Sequence, residues 1–196
     1  GKIERVGPAA STPIPAGMKT LTAKVVTPGL IDAHSTVGLS GVLNQVHDQD
    51  QLETSAPMQP ELRAIDAYNA KDPLVAWLRS FGVTTIHTGH GPGALISGQT
   101  MIVKTLGGSV EQDTIQPESM VAASLGEDGR ASGGKSPGTR AKMLAMLRAE
   151  FIKAREYAAK AAKAEKGKEP SRDLRLEALA KVLSGAMPLM VTVNRA

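Results

Sequence analysis

Val25-Val26-Thr27-Pro28-Gly29-Leu30-Ile31-Asp32-Ala33-His34-Ser35-Thr36 decides how this chain is read. β-Branched and aliphatic residues lead into a polar tip, Asp32-x-His34-x-Thr36, which is the pattern of a strand that ends at a working surface. Side chains alternate faces along a strand, so the spacing predicts Asp32, His34 and Thr36 on one side. A carboxylate, an imidazole and a hydroxyl would then stand in a row. The third member weakens that row as a metal site, because a neutral hydroxyl is a much poorer ligand for a divalent transition metal than an imidazole.

The stretch resembles the first-strand signature of the amidohydrolase superfamily, metal-dependent hydrolases of the imidazolonepropionase-like kind. There Pro-Gly-Leu-Ile-Asp-x-His-x-His supplies two metal-binding histidines inside a (β/α)8 barrel. His34 stands at the first histidine and Thr36 at the second. Gly82-Val83-Thr84-Thr85 resembles a later strand of the same barrel. Pro188-Leu189-Met190-Val191-Thr192-Val193-Asn194-Arg195-Ala196 resembles a strand that usually ends on another histidine, and Thr192 or Asn194 occupies that position here. The resemblance implies an α/β fold: the first half of a TIM-type (β/α)8 barrel over residues 25–196, preceded by strands of a small β-sandwich over residues 1–24. A complete barrel needs eight strands and about 250 residues. The expectation is therefore an N-terminal portion, with the ligands of later strands lying elsewhere.

Working outward, Gly1 to Gly7 alternates polar and apolar residues and Thr20 to Thr27 is β-rich, so both predict short strands, joined by a proline-rich link from Pro8 to Ala16. Val37 to Asn69 has no sustained helical period and predicts a long loop at the barrel mouth, with a short helix within Gln59 to Tyr68. Asp72-Pro73 opens a helix: Asp72 caps it, Pro73 suits its first position, and Leu74, Val75 and Leu78 form its apolar stripe. Gly82 stops it, and Val83 to His87 follows as a strand, giving one helix–strand unit of a parallel sheet. Ala94 to Ile96 and Met101 to Leu106 read as further strands. Thr139 to about Lys166 is the longest helix, with Met143, Leu147, Phe151, Ala154 and Ala158 on one face and its distal part in solvent. A second helix from Pro170 to Gly185 and a strand from Pro188 to Val193 repeat the layout.

Composition narrows the classes. The 196 residues hold 41% hydrophobic and 21% charged side chains, ordinary for a globular domain. Aromatics make up only 3%, too few for the stacking platforms of nucleic-acid modules. The formal charge is +4 and most of the excess lies between Lys135 and Lys168, a solvated helix face and not a nucleic-acid surface. The absence of cysteine excludes disulfides and thiolate metal sites but leaves cytoplasm and periplasm equally open. No apolar run approaches the roughly 20 residues that span a bilayer, and none reads as a signal peptide. Gly129 to Ser136 matches the spacing of a phosphate loop, but Glu127, Asp128 and Arg130 make a poor leading strand and Pro137 interrupts the helix that should follow.

The candidate chemistry follows from the resemblance. It implies a metal-assisted hydrolase of C–N bonds in an amide, cyclic amide or small peptide, in which His34 ligates metal and Asp32 supports it. His87 and His90, at the end of the Val83 strand, would line the pocket of a small-molecule substrate. Thr36 and Thr192 stand at degenerate ligand positions, so one divalent ion, zinc first, or none is expected. Lys104 could be a metal-bridging lysine, but a lysine at a sheet margin is the plainer reading, and His47 reads as a loop histidine. The competing class is a non-catalytic scaffold or binding protein of the same fold. An incomplete barrel exposes strand edges, so the partner expected is the C-terminal half of the same protein or a second copy.

Overall fold

A computed structural model describes residues 3–130 and 137–193. Its first organising element is the parallel pairing of β1 (Leu30–Ser35) with β2 (Val83–Thr88). A parallel pair needs a long crossover, and here residues 36–82 supply it, ending in α1 (Pro73–Ser80). The Asp72 carboxylate caps α1 by accepting from the Leu74 amide at 2.8 Å, and Pro73 takes the first turn. Beyond the helix, Gly82 adopts a φ of 85°, the left-handed conformation that favours glycine at a helix exit. β2 then pairs antiparallel with β4 (Met101–Lys104), and β4 with β5 (Thr114–Gln116), which follows the single turn of α2 (Val110–Asp113). The order of this first sheet is β1-β2-β4-β5.

A second sheet has the order β3-β6-β7. β3 (Ile96–Gln99) runs antiparallel to β6 (Val121–Ser124), and β6 runs parallel to β7 (Leu189–Thr192). Its crossover is α3 (Arg140–Lys163) packed on α4 (Leu174–Leu183). The helical spacing of Met143, Leu147 and Ala154 puts one face of α3 in the core, while its last turns are exposed as expected. The fold is thus α/β with two mixed sheets. Each sheet has its own core: Ile86, Met101, Val103 and Val75 under the first, and Leu95, Ile96, Val121, Met143 and Leu179 under the second. Only Thr100 separates β3 from β4, so the two sheets meet there.

Several expectations are corrected. Among the described residues, 3–24 form no strand, only a 3-10 turn at Ala9–Ser11. Large apolar side chains there and just beyond are bare to solvent, from 58% exposed at Met18 to 86% at Val6. A sandwich strand exists only when a neighbour takes its backbone groups and its apolar face, and these segments have neither. β1 accordingly begins at Leu30 and not at Val25. The helix expected within 59–68 shrinks to a 3-10 turn at Ala64–Asp66. Residues 57–63 instead run beside β3: the Gln59 amide donates to the Ile96 carbonyl, and the Gln99 amide to the Leu62 carbonyl. The long loop is therefore a packed layer, with Leu39, Met58 and Tyr68 buried. No described helix is long and apolar enough to cross a membrane.

These two environments give opposite expectations for one chemical change. Ile86→Ala should destabilise the chain by about 2–5 kcal/mol, since Ile86 is fully buried beneath β2. Ile3→Ala should change stability by less than about 0.5 kcal/mol. Urea unfolding followed by circular dichroism checks both, and equal losses would contradict the packing described.

Candidate functional site

The site grows from the tip of β1. Its ladder with β2 is irregular at that point: Asp32 lies opposite Ile86 and Ser35 opposite Thr88, so β1 carries one more residue than β2 across the interval. Such a bulge breaks the simple alternation of faces and re-aims side chains. It interrupts the row of three that alternation predicts. Asp32 is half-buried and its Oδ1 accepts the His34 amide at 3.1 Å. His34 is exposed, and its imidazole makes no hydrogen bond within the described residues. Thr36 falls outside the strand in a turn. Its hydroxyl accepts from Ser40 Oγ at 3.1 Å, and its carbonyl accepts the amides of Leu39 and Ser40.

His87, next along the parallel pair, has a different fate from the substrate-lining role expected of it. It is buried; Nδ1 lies 2.9 Å from the Ala33 carbonyl oxygen and Nε2 lies 2.6 Å from Thr100 Oγ1. A carbonyl can only accept, so Nδ1 donates to Ala33, while Nε2 shares its bond with the Thr100 hydroxyl, which also lies 3.3 Å from the Met120 carbonyl and can donate to it. Both nitrogens are spent inside the protein. Thr100 Oγ1 in turn accepts the Met120 amide at 3.1 Å. Nothing in the sequence singled out Thr100, a lone threonine between two strands.

His90 contrasts with His87. It is only 5% exposed, yet neither ring nitrogen has a hydrogen-bond partner. Its ring lies on Gly98, whose φ is 143° and where a Cβ would come within 2.4 Å of His90 Cδ2. Burial pushes the His90 imidazole below the ordinary histidine range, and the charge of Asp50 opposes this in part.

The remaining candidates disperse. His34 and His87 lie toward the same end of one parallel pair, but Thr192 ends β7 in the other sheet, opposite Ser124. His47 is exposed in a 3-10 turn. Lys104 Nζ donates to Thr85 Oγ1 at 2.8 Å, in keeping with a sheet-margin lysine. Asn194 and the run Gly133 to Ser136 lie outside the described residues. Among the described residues, no group of three or more His, Asp or Glu gathers where a metal could sit. The donor types of Asp32 and His34 fit a divalent ion, but two donors fall short of the three protein ligands a catalytic zinc takes. An apolar groove lined by Val42, Pro73, Leu74 and Trp77 lies on α1 and carries no titratable group.

With this geometry in view, comparison with known proteins is informative. No family model matches the chain. The amidohydrolase tasK of Hapsidospora irregularis is 27% identical over 129 residues, which are 66% of this chain and 13% of tasK. The crystal structure of an amidohydrolase from Thermotoga maritima MSB8 matches with a TM-score of 0.80 at 25% identity, over 93% of this chain and 51% of that one. The chain thus spans about half the length of its structural relative and a small part of tasK. The α/β fold matches that of a solved amidohydrolase, and both relatives, each named an amidohydrolase, support the amidohydrolase superfamily.

Proposed function

We propose that this chain forms the N-terminal part of an amidohydrolase-type (β/α)8 barrel that hydrolyses a C–N bond in an amide, a cyclic amide or a small peptide. The observation that supports this most is the tip of β1. Asp32 and the unengaged imidazole of His34 stand at the end of a strand that pairs in parallel with its crossover partner, where such folds place their chemistry. His34 would ligate a divalent ion and Asp32, already braced on the His34 amide, would support it. When bound, such an ion polarises a carbonyl and activates water. Of the two histidines at the end of β2, His87 within it and His90 just beyond, His90 is the one with nitrogens to offer a substrate, since those of His87 are taken. The ligands still lacking come from the remaining part of the same protein or from a second copy.

This reading makes three measurable demands. Isothermal titration with zinc should show at most one weakly held ion on this chain. His34→Ala should abolish it, while Thr36→His should tighten it by about tenfold or more, ~1.4 kcal/mol per decade. Tight stoichiometric zinc in the unaltered chain, or weak zinc indifferent to His34→Ala, would contradict the assignment.

His90 makes stability depend on pH. Its folded-state pKa is depressed, so the unfolded chain binds the proton first. Stability is therefore fully present above the ordinary histidine pKa of about 6.5 and is lost as pH falls below it. His90→Phe should flatten that part of the profile of unfolding free energy, measured by urea unfolding at a series of pH values.

β1 and β7 each have one strand neighbour among the described residues, and Leu30, Ile31 and Val191 are exposed on them. Open edges of this kind pair with other chains. Sedimentation velocity of the isolated chain should show self-association, with no turnover of small amides. A monomer that hydrolyses an amide in a metal-dependent way would overturn this division of roles.

A further inference from the structure

We infer that His87 is a positioning residue that holds the tip of β1 through the Ala33 peptide, with Thr100 fixing its ring. Three observations combine here. The ladder is irregular between Asp32 and Ser35, so regular pairing does not by itself fix the intervening peptides. The carbonyl at that place, Ala33, accepts from His87 Nδ1 at 2.9 Å, and it lies between the two candidate ligands in sequence. The other ring nitrogen is held at 2.6 Å by Thr100, itself tied to the stretch that leads into β6 by the Met120 amide on its hydroxyl and by backbone bonds in which its amide donates to the Met120 carbonyl and its carbonyl accepts the Ser119 amide. A line of hydrogen bonds thus runs from the stretch that leads into β6, through one imidazole bonded at both nitrogens, to the backbone that carries Asp32 and His34. A ring nitrogen that braces a neighbouring peptide sets where the side chains on either side of it point, as outer partners do around metal ligands.

The inference rests on the proposed role of Asp32 and His34 only for its meaning, not for its geometry, and the test separates the two. An asparagine amide can place its nitrogen where Nδ1 lies, and a glutamine amide where Nε2 lies. His87→Asn keeps the donor to Ala33; His87→Gln keeps only the side facing Thr100. Hydrogen exchange read by mass spectrometry on the full chain should show faster exchange in the 30–36 segment for His87→Gln, by about fivefold or more, the effect of losing one buried hydrogen bond. His87→Asn should stay within about twofold of the unaltered chain, and the 140–163 segment should not change in either variant. A zinc titration should rank the variants in the same order. Equal exchange in the Asn and Gln variants, or none altered at 30–36, would overturn the positioning role. If zinc fails to bind the unaltered chain while the exchange contrast holds, the metal reading falls and the positioning role stands. Should His87→Gln fail to fold, Thr100→Val against Thr100→Ser asks the same question from the other end of the ring: the valine variant should loosen 30–36, the serine variant should not, and equal behaviour overturns the inference.

Discussion

The structure depends on a constraint of parallel pairing. β1 and β2 run the same way, so the chain between them must travel back along the outside of the sheet and find cover as it goes. Residues 36–82 do so in two manners. α1 lays Val75 against the first core, and the irregular stretch before it buries Leu39, Met58 and Tyr68 while passing beside β3. Gly38 shows how tight that layer is: its φ is 92°, and a Cβ there would lie 2.1 Å from the Tyr68 ring. A segment without helical period thus became part of the interior, because its backbone found partners in β3 and its few apolar residues were placed where they count.

What the sequence made legible was local. The Asp72 cap, Pro73, the apolar stripe of α1 and Gly82 each act within a few residues, and the helix–strand unit they define formed as read. The same holds for α3, whose face of Met143 and Leu147 recurs at helical spacing. What it hid was relational. β6 reads Val-Ala-Ala-Ser; it shows no alternation because it is buried throughout, between β3 and β7. Residues 3–7 and 20–27 have good strand residues, yet propensity without a neighbour to share hydrogen bonds and a face to cover leaves them unpaired as strands and exposed.

The candidate site divides along the same line. Val25 to Thr36 marked a strand, although the strand itself runs only from Leu30 to Ser35. The bulge was not legible, since register is a property of two strands, and one extra residue in β1 undoes a face assignment made by counting in twos. Nor could spacing sort His87 from His90. They are three residues apart, share a strand end and are both buried, but one has a carbonyl and a hydroxyl within reach and the other has neither. Their chemistry diverges for that reason alone.

That divergence explains how the tip of β1 keeps its frame with a sparse donor set. Asp32 spends one carboxylate oxygen on the His34 amide, and His87 spends its Nδ1 proton on Ala33, so the tip of β1 is held by bonds that ask nothing of a metal. A site whose geometry came from its ion would loosen whenever the ion left. Here the stretch that leads into β6 supplies the rigidity through Thr100, and the exposed imidazole of His34 is left as the group with freedom to bind. Thr36 belongs to the same frame, because its hydroxyl and carbonyl close a turn with Ser40 and Leu39 that the fold uses whether or not anything is ligated.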